Sequence, residues 1–232
     1  MLKVDLHLHT AEDPVDNIRH DARALIDRAA ELRFDAIALT LHDRQLSSPS
    51  LSAYARARGV LLIPGIERTI ERRHVLLINF PSEAESVATF ADLASLKTRS
   101  HGIVIAPHPY FPAFSSLGRA LDAHAELFDA VEWSYFWTPW INFNAPAERW
   151  ARAHGKPIVG NSDSHDLRQL GRTYTRVFAE PDADSICAAI REGRVALETE
   201  PVPVIELTQI AAAMILNGRK AQPAVHPLAQ QL

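Results

Sequence analysis

Metal-ligand residue types recur where predicted β-strands end in this chain. Short apolar segments alternate with helical segments along the first 200 residues. The motifs at the strand ends are His7-Leu8-His9, Thr40-Leu41-His42-Asp43, Pro64-Gly65-Ile66-Glu67, Ala106-Pro107-His108-Pro109 and Asn161-Ser162-Asp163-Ser164-His165. Active sites of α/β barrels are built at the C-terminal ends of their parallel strands. The pattern therefore favours a fold that gathers distant strand ends at one place.

Strand and helix periodicity predicts one α/β domain. Seven segments are predicted strands: 2–9, 36–40, 60–66, 74–80, 102–106, 130–133 and 157–160. Helices are predicted over 21–33, 50–58, 82–98, 115–127, 145–154, 182–192 and 205–216. An open doubly wound sheet would gather ligands only near one switch point. We therefore predict a (β/α)7 barrel with parallel strands over residues 1–200, followed by a C-terminal helix and polar tail over 201–232.

Composition restricts the class of protein. The chain has 232 residues, 47% of them hydrophobic, and a formal net charge of −4, with no block of like charge. This argues against a surface that coats nucleic acid. The single cysteine, Cys187, excludes an internal disulfide and a thiolate zinc cluster, and we expect it to be buried and inert. No apolar run reaches the roughly 20 residues that span a bilayer. The N-terminal residues are predicted to form a strand and not a signal peptide. A cytoplasmic setting is expected.

The first strand carries the clearest chemical signal. Side chains alternate in a strand, so Asp5, His7 and His9 share one face. Three polar groups pointing into a barrel are costly unless they are hydrogen-bonded or bind a metal. A satisfied core histidine or an exposed edge strand is the alternative. Together with the other strand ends, His-x-His predicts a metal site.

Carboxylates and histidines at later strand ends extend this prediction. Glu67 closes an apolar strand and has two oxygens, so we assign it the role of a bridge between two metals; a salt bridge to a nearby arginine is the alternative. His108 lies between two prolines that hold the backbone extended. Asp163 and His165 again share a face.

Other ligand candidates have weaker positions. His42 follows a strand, although a loop or capping role is open to it. His74 opens a strand instead of ending one. Asp13 and Asp16 lie in the loop after His9, and spacing does not decide which of them is a ligand.

Residues that contact a substrate are harder to identify. Arg68, Arg172 and Arg176 follow strand-end motifs and are candidates to bind an anion, with solvated surface arginines as the alternative. Asp43 is a candidate acid for a leaving group. The aromatic stretch 133–140 could stack on a nucleobase or aromatic leaving group, or serve as core or as a dimer contact.

The five strand-end motifs, in this order, resemble those of the PHP (polymerase and histidinol phosphatase) superfamily over residues 2–200. This resemblance implies a distorted seven-stranded (β/α) barrel with two or three divalent metals. By motif, His7, His9 and Asp163 would bind one metal, with Glu67 as the bridge to a second held by His74 and His108. His42, His165 and Asp13 or Asp16 would hold a third. Two motifs depart from the family pattern: Leu41 replaces an aspartate of the usual second motif, and the loop after His9 lacks Ser-Asp-Gly. Both departures affect the position of the third metal.

The resemblance implies hydrolysis of a phosphate monoester or diester of a small molecule or nucleotide. A water activated between two metals would attack phosphorus, with Glu67 and Asp163 in the catalytic centre. Zinc, manganese and iron all suit a His and carboxylate set. Nucleic acid is expected only as a nucleotide or oligonucleotide, and no membrane partner is expected. The alternatives are a metal-dependent C–N hydrolase of the amidohydrolase type, which also begins with His-x-His, and a non-catalytic PHP binding module.

Overall fold

Nine strands form the central sheet. The structure, a computed structural model, describes residues 1–217 and 220. The strands are β1 (Leu2–Leu8), β2 (Ala36–Leu39), β3 (Leu61–Ile70), β4 (Arg73–Ile78), β5 (Ile103–Ala106), β6 (Ala130–Ser134), β7 (Ile158–Asn161), β8 (Thr173–Val177) and β9 (Val195–Thr199). The order in the sheet is β7-β6-β5-β4-β3-β2-β1-β8-β9. The α/β class with a nearly closed, barrel-like sheet is confirmed.

Strand number and direction correct the prediction of seven parallel strands. The pairs β1–β2, β2–β3, β5–β6 and β6–β7 are parallel, as expected. β4 is antiparallel to both β3 and β5, because a tight turn at Glu71 and Arg72, both with positive φ, returns the chain beside β3. β8 and β9 were not predicted. β8 pairs antiparallel with β1, and β9 pairs antiparallel with β8. Their alternating polar side chains give a weaker apolar signal than the buried strands.

The helices agree in number with the prediction and differ in extent. They are α1 (Ala22–Glu31), α2 (Pro49–Arg56), α3 (Phe90–Lys97), α4 (Arg119–Ala123), α5 (Asn144–His154), α6 (Ala183–Arg191) and α7 (Val204–Asn217). Asp21 caps α1 by accepting a hydrogen bond from the Ala24 amide. The helix predicted over 82–98 divides into a 3₁₀ turn (Ser82–Ser86) and α3, since Thr89 starts a new capping box. The helix predicted over 115–127 is only α4 and a short 3₁₀ turn, after Gly118 with φ of 51°.

Closure of the sheet takes place after β7. Leu8 pairs in parallel with Ser164, and the His9 amide donates to the Ser164 carbonyl at 3.0 Å. Gly160 permits the close approach of β7 to β8 and β9, because a Cβ there would lie 2.5 Å from a methyl of Leu197 and 2.8 Å from the Tyr174 carbonyl. The ends of β1 and β7 are therefore held side by side.

The apolar core lies between the sheet and the helices. Val4 and Leu6 of β1 pack in the same cluster as residues of α6, and Leu8 packs in the cluster that contains residues of α1. Asp5, His7 and His9, on the opposite face of β1, are completely buried inside the barrel. The predicted division of β1 into an apolar and a polar face is thus present.

The C-terminal part of the chain packs on the barrel through α7. Val202 and Ile210 form a small cluster with the buried Tyr135, whose hydroxyl donates to Glu206 at 2.8 Å. The boundary near residue 200 stays a prediction, and the polar tail over 217–232 lies, apart from Asn217 and Lys220, outside the described residues. None of the helices in the described ranges has the length and apolar character needed to cross a membrane.

Candidate metal centre

The end of β1 provides two histidines to the interior of the barrel. His7 and His9 are both 0% exposed. Within the part of the chain that the structure describes, the Nε2 atoms of both rings are buried and have no well-oriented hydrogen-bond partner. Such orphaned polar atoms are rare in folded proteins and call for an explanation.

Glu67, near the middle of the long strand β3, lies between two groups of histidines and is 1% exposed. Its Oε2 lies 3.4 Å from His7 Nε2, 3.3 Å from His9 Nε2 and 3.2 Å from His42 Nε2. Its Oε1 lies 2.7 Å from His74 Nδ1 and 3.3 Å from His108 Nε2. Each carboxylate oxygen therefore faces a different group of nitrogens, which is the arrangement that a bridging ligand needs.

Asp163 completes the first group. It has a φ of 48°, and its Oδ1 lies 3.3 Å from His7 Nε2 and 3.5 Å from His9 Nε2. Two ligands that each lie about 2.0–2.2 Å from one ion are themselves about 2.9–3.6 Å apart. The spacing of His7, His9, Glu67 and Asp163, which we call the inner set, fits a divalent metal, and such an ion would satisfy the two orphaned nitrogens.

His74 and His108 form a second set with the other oxygen of Glu67. His74 is the second residue of β4, and β4 runs antiparallel to β3, so its first residues lie beside the C-terminal half of β3. The residue that opens a strand is thereby brought to the same end of the barrel as residues that close the others. His108 has a φ of 28°, and its ring lies 5.7 Å from that of His7.

A third set lies at the rim of the barrel on loops. His42 and His165 stack on the ring of His9 at 4.6 and 4.5 Å. Asp16 Oδ2 lies 3.0 Å from His165 Nε2 and 3.8 Å from His42 Nδ1. We call Asp16, His42 and His165 the rim set.

Asp13 has different neighbours from Asp16. Its Oδ2 lies 3.0 Å from the Nδ1 atoms of both His9 and His42, and its Oδ1 accepts from the amides of Val15 and Asp16. Both of its oxygens are therefore occupied by donors of this chain. The structure distinguishes the two aspartates that spacing left equivalent. Asp13 contacts the Nδ1 atoms of His9 and His42, and Asp16 contacts the Nε2 atom of His165.

Glu132 is the main residue that the sequence reasoning missed. It lies in the apolar strand β6, is completely buried, and has an Oε1 2.8 Å from His7 Nδ1. Its Oε2 accepts from the His108 amide at 2.7 Å, and Asn161 donates to Oε1 at 3.0 Å. Glu67 was identified as a carboxylate that closes an apolar strand, whereas Glu132 lies inside one. A charged residue among apolar strand neighbours was the signal that could have identified it.

Two other residues support the site without having been assigned a role in it: Asp5, which was predicted to share a face with His7 and His9, and His20. Asp5 accepts from the amides of His7 and Ser162 and so joins β1 to the chain after β7; burial raises the pKa of its carboxyl to about 7. His20 is largely buried and contacts the His9 carbonyl through Nε2 at 3.0 Å.

Opposite charges balance within the cluster. Burial disfavours the charged form of His7, but Asp163, Glu132 and Glu67 outweigh it and raise its pKa well above the ordinary value. Burial likewise opposes ionisation of Glu67, whereas His74, His7 and His42 hold its pKa well below the ordinary value. Buried carboxylates of this kind require positive partners, which protons on histidine or divalent cations provide.

The candidate substrate residues do not all lie near this cluster. Arg68 donates to Asp43 at 2.7 Å and to the Val87 carbonyl, and Asp43 also accepts from the Thr69 amide. Arg172 pairs with Glu206 on α7 at 3.1 Å. Arg176 pairs in β8 with Lys3, near the start of β1, so the structure does not bring it to the cluster.

The aromatic stretch over 133–140 divides between core and surface. Tyr135 is completely buried under α7, and Trp137 donates through Nε1 to Thr199 at 2.9 Å. Trp140 is 82% exposed.

The comparisons with known proteins bear on the family resemblance and on the fold. The PHP-associated family model (PHP_C) matches residues 142–195, a segment that contains Asp163 and His165. No curated protein matches the sequence. The fold is similar to that of a two-domain protein from Bacteroides vulgatus that contains a predicted PHP-like metal-dependent phosphoesterase, with a TM-score of 0.65, 20% identity, and coverage of 86% of this chain and 65% of that one. The resemblance to the PHP superfamily is confirmed.

Two further solved structures share the fold. One is the lesion-specific endonuclease Q of Pyrococcus furiosus, with a TM-score of 0.55, 18% identity, and coverage of 84% of this chain and 57% of that one. The other is an amidohydrolase from Chromobacterium violaceum, with a TM-score of 0.60, 15% identity, and coverage of 83% and 97%. This chain thus spans less than two thirds of the Bacteroides and Pyrococcus proteins. At these identities the likenesses show the fold.

Proposed function

We propose that this protein is a metal-dependent phosphoesterase that hydrolyses a small phosphate ester. The observation that carries the proposal is the position of Glu67, whose two oxygens face two separate groups of histidines. A bridging carboxylate between two ligand groups suits a two-metal centre, and two-metal centres serve phosphoester hydrolysis. The net charge of −4 supports a small ester or nucleotide over a long nucleic acid.

The chain's own residues prepare the centre for ions. Bound divalent metals would supply an activated water and positive charge for the phosphoryl oxygens. Glu132 and Asp13 accept hydrogen bonds from the Nδ1 atoms of His7 and His9, which leaves each Nε2 lone pair directed at the inner set. Burial of these rings excludes bulk water and strengthens every electrostatic contact there.

Asp163 is the more accessible acid of the inner set. Its side chain is 13% exposed, against 1% for Glu67. Asp163 therefore lies on the side of the centre from which a substrate approaches. Glu67, which is buried deeper, contacts both groups of histidines. Zinc, manganese and iron all fit the donor set, and filling of the rim set by a third ion is part of the proposal.

A C–N hydrolase is the second candidate, because one structural neighbour is described as an amidohydrolase. The bridging position in this chain is taken by Glu67. Lys3 and Lys97 donate to groups at Leu32 and Asp129, away from the cluster, and Lys220 donates to the backbone carbonyls of Ala11 and Asp13, so none of these three has its amine in the bridging position. These contacts support the phosphoesterase over the amidohydrolase, and the nearly complete ligand set supports it over a binding module.

The first experiment is metal analysis of tag-free protein grown with trace zinc, manganese and iron, followed by assays with phosphate mono- and diesters and with amides. Two to three metals per chain are expected, with hydrolysis of phosphate esters. Glu67→Gln should lose the metals and reduce hydrolysis by about 10³-fold or more, because the amide provides one oxygen where two are needed.

The matched control is Glu148→Gln, a substitution on the exposed face of α5. It should retain full metal content and turnover. Metal-free protein from replete medium, or full activity of Glu67→Gln, would contradict the proposal. Hydrolysis of amides and not of phosphate esters would favour the second candidate.

A further inference from the structure

Exposed apolar side chains concentrate on two loops beside the candidate metal centre. Among the described residues, eight large hydrophobic side chains are exposed, and four of them lie on the loops after β5 and β6: Phe114, Trp140, Ile141 and Phe143. Phe114 is 97% exposed. Soluble proteins rarely expose such side chains in groups unless the surface binds a ligand or partner. We therefore expect these two loops to bind a ligand or a partner.

A chain of ring contacts leads from the metal centre to this surface. The ring of Phe111 meets that of His108 edge-on, with centroids 6.1 Å apart and planes at 67°. Phe143 follows at 5.3 Å from Phe111, with planes at 55°. Since His108 faces Oε1 of Glu67, the aromatic contacts begin at the second ligand set and end in solvent.

The backbone holds these rings in place. The Phe111 amide donates to the His108 carbonyl at 3.1 Å, and Arg73 donates to the Phe114 carbonyl at 2.7 Å. Phe143 directly precedes α5, where Asn144 exchanges two hydrogen bonds with the backbone of Ser134. A preformed surface loses little conformational entropy when a ligand binds.

We propose that Phe111 and Phe143 form an aromatic subsite for the nucleobase of a nucleoside phosphate. The inference rests on the proposed function, because it places the phosphate at the metal centre. The Phe111 ring lies 6.1 Å from that of His108, and Phe143 lies 5.3 Å beyond it, so a group stacked on these rings must be joined to the phosphate by a short link. A sugar between a phosphate and a base provides such a link. Stacking also tolerates any base, since each base has a π face.

The test compares two substrates that differ only by the base, AMP and ribose 5-phosphate, on the metal-loaded full chain. The wild type should show a kcat/KM for AMP about tenfold or more above that for ribose 5-phosphate. In Phe111→Leu/Phe143→Leu this ratio should fall about tenfold, because leucine keeps apolar bulk and loses the ring. Phe178→Leu, at another exposed aromatic residue, is the matched control and should keep the ratio.

A second measurement is independent of turnover and so separates this inference from the proposed function. Adenosine, which has no phosphate to hydrolyse, should show saturation-transfer NMR contacts to the wild type, and these should weaken in the double variant but not in Phe178→Leu. If no ester is hydrolysed, the proposed function fails and the adenosine experiment still decides on the subsite. Equal ratios in all three proteins, or adenosine contacts unchanged by the double substitution, would overturn it. Light scattering that shows a dimer broken by the double substitution, with no change in either readout, would assign the surface to a second copy instead.

Discussion

The inner set and the rim set use the same residue types but are supported differently. His7 and Glu67 lie on strands, His9 directly follows β1, and all three are at most 1% exposed. Only the fourth member, Asp163, lies on a loop, and its side chain is 13% exposed. The rim set lies on loops, with side-chain exposures of 9% for His42, 12% for His165 and 22% for Asp16. Residues on strands keep their positions with or without a ligand, whereas loop residues have fewer fixed neighbours. The inner set is therefore expected to bind a metal more tightly than the rim set.

The two sets also differ in the hydrogen-bond partners of their histidine rings. Glu132 accepts from three separate donors: the ring of His7 in the inner set, the His108 amide and the Asn161 side chain. In the rim set, His42 shares the Asp13 carboxylate with His9, whereas the Nδ1 of His165 contacts a backbone carbonyl, that of Asp163. Carboxylate partners fix the tautomer and orientation of a metal-binding histidine more strongly than neutral ones do.

Glu132→Gln gives the largest effect expected from this difference. Three donors converge on the carboxylate, and an amide would turn its own NH₂ toward at least one of them. We expect metal affinity to fall by 10- to 100-fold, on the order of other losses of such partners. The measurement is metal retained after dialysis against graded chelator, with Glu148→Gln as the control; equal retention in the two variants would contradict it.

Asp13→Asn and Asp16→Asn separate the two sets directly. Asp13→Asn should weaken the inner set, because Asp13 orients the His9 and His42 rings. Asp16→Asn should remove about one metal per chain and leave the others bound, because the Asp16 carboxylate pairs with the two rim histidines, His42 and His165. Metal counts at increasing chelator concentration distinguish the variants. Loss of all metal from Asp16→Asn, or none from Asp13→Asn, would break the distinction between inner and rim sets.

Asp43→Asn should have the smallest effect. Asp43 has a φ of 54°, which asparagine tolerates, and an amide oxygen can still accept from Arg68 and Thr69. We expect kcat to change less than about threefold, as for a residue that only positions Arg68. An acid that protonates the leaving group would instead contribute about 10²- to 10⁴-fold. Comparing kcat for esters with good and poor leaving groups decides between these roles.

Much of the metal centre could be predicted from sequence because its ligands follow strands of simple periodicity. All ten candidate ligands lie in or beside the cluster, and β1 shows the predicted alternation of faces. His74 was a weaker ligand candidate because it opens a predicted strand, and the direction of a strand cannot be read from periodicity. The turn at Glu71 and Arg72 reverses β4 and so brings His74 to the ligand end of the barrel. Glu132 was missed because it lies inside its strand instead of at the end.

Contacts between distant segments account for the remaining differences. The difference between Asp13 and Asp16 depends on how the loop folds over His9 and His42, which spacing does not specify. β8 and β9 have half-exposed alternating side chains and were not recognised as strands. Arg176 followed a strand-end motif in sequence but belongs to β8, which runs back toward the start of β1.

Closure of the barrel between β1 and the chain after β7 has a consequence for biosynthesis. The Asp5 carboxylate and the Ser162 amide are separated by 157 positions, and His7, His9 and Asp163 stand at the same junction. Most of the polypeptide must therefore be synthesised before the candidate ligands of the inner set can meet. If this centre binds metal as proposed, metal loading would be a late event in maturation, and chains made in metal-starved cells should acquire activity when ions are restored.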